Sequence, residues 1–228
     1  MYKEYVCKQG SEDWHRCRNG LLLTGSNIGT ALGHNPWKSR NAFLIDTFRN
    51  IPVIMNKAME HGQKYEPVAR KWYYEQFGLE VSESGILIPD WDLEIGGSVD
   101  GLVDVSPDGP GMIEIKCPQK MYSFLVTEKD PMGMPMYHFD QIQFYLRVTE
   151  RNWCDYVVWT PDSVKVKRVL RNQKYWDFIM YPGIRKFIDD LKGLRNGLSE
   201  SLFEIPAGGK FKSSKESPKF RDYFPEDI

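Results

Sequence analysis

"IGGSVDGLVDVSPDGPGMIEIKCP", Ile95 to Pro118, carries Asp100 and Asp108 ahead of an alternating Glu-x-Lys triplet, Glu114 to Lys116. The fold depends on which aspartate stands beside that triplet. Ser106-Pro107-Asp108-Gly109 has proline at the second and glycine at the fourth position of a type I turn, so it reads as a hairpin tip. Five residues separate Asp108 from Glu114, too few for two paired strands and a turn, which leaves Asp108 exposed. Thirteen residues separate Asp100 from Glu114, enough for a strand, the turn and a returning strand. The period of two puts Met112, Glu114 and Lys116 on one face of the second strand, and Ser98, Asp100 and Leu102 on one face of the first. The two faces coincide only if paired residue numbers sum to an even number, as when Asp100 lies opposite Glu114 or Lys116.

Two carboxylates and a lysine at a sheet rim suit a hard, oxygen-seeking cation, most simply Mg²⁺, with Mn²⁺ able to substitute. Such an ion lowers the pKa of a bound water and neutralises charge developing on phosphorus. Lys116 is expected to orient or deprotonate the attacking water, its own pKa depressed by neighbouring cations. An isolated Glu-x-Lys is common on exposed strands. Here glycines flank Asp100, where a ligand can approach the backbone, and Ile113, Ile115 and Cys117 belong in a buried strand.

Outward from this core, 228 residues suffice for one sizeable domain. Residues 1–205 are expected to form it, and 206–228, rich in Gly, Ser, Pro and Lys, an extended or disordered tail. A net charge of −1 gives no global field for a polyanion, so any nucleic-acid site must come from local clustering. No apolar run is long enough to span a bilayer, and the polar first twenty residues lack a secretory pattern, which predicts a cytoplasmic or nuclear protein. Four scattered cysteines without a CxxC predict reduced, mostly buried thiols and argue against an iron–sulfur cluster.

Thr24 or Ser26 is placed to cap a helix through "NIGTALG", and "RNAFLIDTFR" forms a second. From Asn56 to Phe77 apolar residues recur at helical spacing up to Gly78, with Pro67 either starting or kinking the helix. Short strands follow in "LEVSESGILIP", "IGGSVDGLVDV" and "MIEIKC". A helix spans "YHFDQIQFYLRVT", then come strands "DYVVW" and "SVKVKRVL" and a long helix containing "WDFIMYPGIRKFIDDLKGL". This order predicts an α+β, three-layer domain with a central mixed sheet flanked by helices.

The arrangement around Asp100, Glu114 and Lys116 resembles the PD-(D/E)xK nuclease motif, with Val99 in the place of its proline. Five blocks in order, "EDWHRCRNGLLLTGSNIGTALG", "HGQKYEPVAR", "IGGSVDG", "IEIKCP" and "FDQIQFYLRVT", resemble lambda-type phage exonucleases, the YqaJ-like viral recombinase family. The resemblance runs from Trp14 to Thr149. It implies a restriction-endonuclease-like core and a metal-dependent 5′-3′ exonuclease acting on double-stranded DNA ends in phage-type recombination. Asp100, Glu114 and the Ile115 carbonyl would bind the metal, with Lys116 serving the water. Glu66 would join the metal site directly or through water, supported by Gln141. Arg18, Ser26 and Ser98 match positions that hold a 5′-phosphate, with Arg16 a competing match for Arg18. Tyr122 stands where the lambda enzyme has a phosphate-binding arginine, with Lys120 nearby, which puts strict 5′-phosphate dependence in question. A homo-trimer and a single-strand annealing protein as partner are further implications. Another nuclease of the same fold, whether an endonuclease or Cas4-like, and a non-catalytic DNA-binding module are the alternatives.

Overall fold

The computed structural model describes residues 1–127 and 130–203; the expected tail lies outside them. The chain divides into two compact units. The first comprises Met1–Gly25, Ile54–Phe124 and Ile142–Arg171; the second comprises Ser26–Val53, Leu125–Gln141 and the described residues from Asn172 on.

Strand β1 (Tyr2–Tyr5) leads to α1 (Glu12–Asn19), whose first turn is closed by the Ser11 hydroxyl accepting from Trp14 N. After β2 (Leu23–Thr24) a 3₁₀ turn, Gly25–Asn27, enters the short helix α2 (Ile28–Ala31). The intervening 3₁₀ turn makes Asn27, not Thr24 or Ser26, the residue that precedes α2, and its side chain makes no cap bond to that helix. Helix α3 (Arg40–Phe48) is capped by Ser39.

Helix α4 (Lys57–Phe77) starts at Asn56, whose carboxamide accepts from the backbone of Ala58 and Met59, and it stops at Gly78 in the left-handed conformation. Pro67 therefore lies inside one helix and does not begin it. The missing N–H costs one bond, to the Gln63 carbonyl, and two elements hold the helix across it. One is the Asn56 cap. The other is burial of Ala69 and Tyr73 against Val103, Ile113, Ile115, Trp153 and Val157. Met59 and Phe77, on the same expected stripe, are exposed.

The sheet that receives α4 consists of β5 (Gly101–Val103), β6 (Gly111–Lys116), β7 (Trp153–Thr160) and β8 (Ser163–Leu170) in that order, following the short strands β3 (Ile86–Pro89) and β4 (Ile95–Gly96). It is mixed, as expected. The β5–β6 and β7–β8 pairs are antiparallel and β6–β7 is parallel, so the return from β6 to β7 crosses over through helix α5 (Met136–Thr149). Separately, β1 pairs with β3 and β2 with β4.

In the second unit, the short helix α6 (Gln173–Tyr175) continues through a π-type turn, Trp176–Met180, into α7 (Tyr181–Arg195), with Pro182 in the first turn of α7. Tyr181 N donates to Trp176 O in the π pattern, so Pro182, which has no N–H, falls where the helical bonding pattern changes. Phe43 of α3 stacks on Phe187 of α7 at 5.2 Å, and Arg40 bonds Asp190 at 2.6 Å. All four cysteines are free thiols, Cys117 and Cys154 buried and Cys7 and Cys17 half-buried. Among the described residues no helix is long and apolar enough to cross a membrane.

Candidate functional site

The β5–β6 hairpin pairs Gly101 with Ile113, Leu102 with Met112 and Val103 with Gly111, so the register sum is even. One residue beyond β5, the same register sets Asp100 opposite Glu114. The carboxylate is pinned there, Oδ2 accepting from the Ile115 N–H at 2.7 Å. At the other end, Gly109 N donates to Ser106 O at 3.0 Å, closing the turn, and Asp108 is exposed and paired with Arg168. Glu114 and Lys116 share the face opposite Ile113 and Ile115, which α4 covers.

Glu114 is fully buried. Its Oε1 accepts from Lys116 Nζ at 2.6 Å, while Oε2 has no hydrogen-bond partner among the described residues. Burial, reinforced by the charge on Asp100, pushes its carboxyl up to about 8. Asp100 is also raised by burial, against the opposing pull of Lys116, the Ile115 N–H and Arg70. On α4, Glu66 is pushed up to about 7 by burial and by Asp100, although Arg70 Nη2 bonds its Oε1 at 2.7 Å. Burial pulls Lys116 down, but Glu114 and Asp100 outweigh it and leave the amine raised. The expectation of a depressed lysine is therefore corrected: the charges facing Lys116 are carboxylates, not cations.

Three acids with elevated pKa values around one lysine are short of positive charge. Asp100 and Glu114 bring hard carboxylate oxygens to one face, and Glu114 Oε2 is a buried oxygen without a donor among the described residues. That combination fits a divalent cation such as Mg²⁺, which is commonly held by one or two carboxylates and keeps several waters. Among the described residues no three His, Cys, Asp or Glu side chains are grouped to hold a metal ion. Glu66 accordingly stands with Arg70, a position that suits action through water better than direct ligation. A groove of about 500 Å³ opens beside Asp100, Lys116 and Glu66, with Gly62 and Tyr122 also in its wall.

Ser98, two residues before Asp100, is buried, and its Oγ accepts from Trp14 Nε1 at 2.7 Å. The Arg18 guanidinium lies over the same indole ring, 5.0 Å from its centroid. Arg16 is largely exposed and bonds Asp13 at 2.6 Å. Of the two competing arginines, Arg18 is thus the one tied to Ser98, through Trp14. Lys120 is exposed and is not among the residues of the groove, where Tyr122 stands. Ser26 and the buried Gln141 belong to the second unit, whereas Gln143 donates to the Leu170 carbonyl at 2.8 Å and is structural.

Two residues escaped the sequence reading. Trp14 had the signature of a core aromatic, and nothing local announces a bond to a residue 84 positions away. Arg70 was legible, since Glu66 and Arg70 are an i,i+4 acid–base pair on one helix face. It also pairs with Glu83, which sits between Ser82 and Ser84, two residues hydrogen-bonded to the Val99–Leu102 stretch around Asp100.

The fold is shared with solved structures. An alkaline exonuclease, LHK-Exo, from Laribacter hongkongensis is 25% identical, with a TM-score of 0.62 over 82% of this chain and 97% of its own. The same protein in complex with dAMP gives 0.64. A phage-related exonuclease from Haemophilus somnus 129PT, 14% identical with a TM-score of 0.57, shares the fold alone. In sequence, the uncharacterized protein R354 of Acanthamoeba polyphaga mimivirus is 30% identical over 158 residues, 66% of this chain. The chain spans 29% of the length of that relative. The model of the YqaJ-like viral recombinase domain matches residues 13–152, more than half of the chain and all of the β5–β6 hairpin with its acids, and the chain belongs to that family.

Proposed function

We propose that the chain is a metal-dependent deoxyribonuclease that degrades one strand of linear double-stranded DNA from an end, 5′ to 3′. The observation that carries it is the Asp100–Glu114–Lys116 constellation, with Asp100 and Lys116 in the wall of a groove and the buried Glu114 held behind them on Lys116. Family membership and the likeness to alkaline exonucleases support the same reading. That a structural neighbour was solved with dAMP supports a nucleotide in such a groove. Residues 1–205 are taken as one nuclease domain.

In this reading Asp100, Glu114 and the Ile115 carbonyl hold Mg²⁺, or Mn²⁺ in its place, and Glu66 contributes through water. When bound, the ion supplies Lewis-acid stabilisation of the phosphate and a more acidic water. The Ile115 N–H fixes the Asp100 carboxylate, so the acid needs no reorganisation. Lys116, a cation held on Glu114 and in the groove wall, orients the attacking water or a phosphate oxygen. Ser98 has its lone pair engaged by Trp14, which leaves its O–H to donate to a terminal phosphate beside Arg18. Tyr122 in the groove, in place of a second cation, predicts a weakened demand for that phosphate. A trimer threaded on DNA and an annealing partner are compatible with this activity.

The test is a time course on linear and closed-circular duplexes with 5′-phosphate or 5′-hydroxyl ends, in Mg²⁺ or in EDTA. Expected are mononucleotides from linear DNA, no product in EDTA, and end preference below tenfold. Cleavage of closed circles at the linear rate would overturn the exonuclease reading, and cleavage in EDTA would overturn the metal.

A further inference from the structure

Glycine inside a helix costs stability relative to alanine and persists where a positive φ or a close neighbour requires it. Among the described glycines, Gly10, Gly33, Gly78, Gly97, Gly109, Gly133 and Gly197 have positive φ. The others, with one exception, have protein atoms within 3.3 Å of where a Cβ would sit; at Gly25 it would lie 2.4 Å from the Tyr145 ring, and at Gly29 2.4 Å from Tyr137. The exception is Gly62. It has neither a positive φ nor, among the described residues outside its own helical backbone and chain neighbours, any atom within 4 Å of the Cβ position, and it lies in the sixth position of the 21-residue helix α4. The described residues give no steric reason for a glycine there.

The place of Gly62 supplies one. It stands one helical turn before Glu66, on the same face, in the wall of the groove that holds Asp100 and Lys116. We infer that Gly62 keeps this turn bare so that a substrate sugar can pack against the α4 backbone, the sugar being the deoxyribose of the nucleotide whose phosphodiester is cut. A helix backbone spends most of its N–H and C=O groups on itself, so it offers a ligand van der Waals surface and few hydrogen bonds. Such a surface suits the C–H face of a sugar better than a phosphate or a base edge. The cavity, about 500 Å³, lies within the roughly 300–1,000 Å³ of small-ligand sites. Gly62 would then determine specificity: it sets how closely the strand approaches the acids. This inference rests on the nuclease reading above.

The test uses Gly62→Ala and Gly62→Leu in the full chain. Three readouts are melting temperature, kcat and KM on linear duplex DNA in Mg²⁺, and binding of a single-stranded oligonucleotide by anisotropy in a Lys116→Ala background. Both variants should melt higher than the parent, by about 1–4 °C for alanine. The value of kcat/KM should fall about tenfold for alanine and about 100-fold for leucine, with oligonucleotide binding weakened in the same order. Activity and binding equal to the parent in both variants, with cleavage by the parent intact, would overturn the role of Gly62 alone. A lower melting temperature in Gly62→Ala would place the steric limit inside the chain and overturn it too. A parent chain that leaves all DNA intact would overturn the nuclease reading and this inference with it.

Discussion

Asp155 and Glu114 stand on adjacent strands one register step apart, β7 pairing Asp155 with Ile113 and Tyr156 with Glu114. Both carboxylates are buried. Asp155 accepts from Tyr73 Oη at 2.7 Å, Arg168 Nε at 2.8 Å and Arg168 Nη2 at 2.9 Å, so both oxygens are satisfied. Glu114 has Lys116 on one oxygen and, among the described residues, no donor on the other. A buried carboxylate whose lone pairs are all answered by the chain braces the fold. One left with an open oxygen and a raised pKa is held ready for a charge from outside.

The sharpest way to break this contrast is to remove each member. Lys116→Ala and Asp100→Asn should each lower DNA cleavage by about 10³-fold or more, within the range for loss of a positioned proton-handling group or of a metal ligand. Their melting temperatures should stay within a few degrees of the parent, because a proton on Glu114 can replace the lost partner; calorimetry alongside the cleavage assay checks both. Asp155→Ala should do the reverse. It should cost about 2–3 kcal/mol of stability in urea unfolding, since a charged hydrogen-bond network is lost while half-exposed Arg168 returns to water. Activity per folded molecule should be retained.

A smaller effect follows from pH. Glu114 and Glu66 have folded pKa values of about 8 and about 7, above the ordinary glutamate range. A raised acid contributes stability that is complete below its unfolded pKa and is lost as pH rises through the folded one. The melting temperature of the EDTA-treated chain should therefore fall between about pH 5 and pH 9, Glu114→Gln should flatten part of the slope, and added Mg²⁺ should stabilise most at the alkaline end. An EDTA melting temperature flat over that range would remove the distinction between Glu114 and Asp155.

Much of this was legible along the chain. The turn composition of Ser106–Gly109 and the spacing to Glu114 singled out Asp100 over Asp108, and the even register followed from the period of two alone. These are local quantities, set by strand pleat and turn geometry. Pro67 shows where local rules fail: they break or start a helix at proline, yet α4 runs through it, because the Asn56 cap and the burial of Ala69 and Tyr73 offset one lost bond. The reading of Lys116 failed for a related reason. Its pKa depends on which charges packing brings within a few ångströms, and those turned out to be Glu114 and Asp100.

The sequence by itself determined the hairpin, the identity of its acids and their shared face, since a covalent spacing and a two-residue repeat leave few alternatives. Only the tertiary structure decided that Arg70 also pairs with Glu83, that Trp14 ties Ser98 to Arg18, and that Glu114 has one oxygen without a donor among the described residues. Those outcomes depend on helices and strands distant in sequence meeting at one sheet edge, where burial removes water and makes every unpaired charge count.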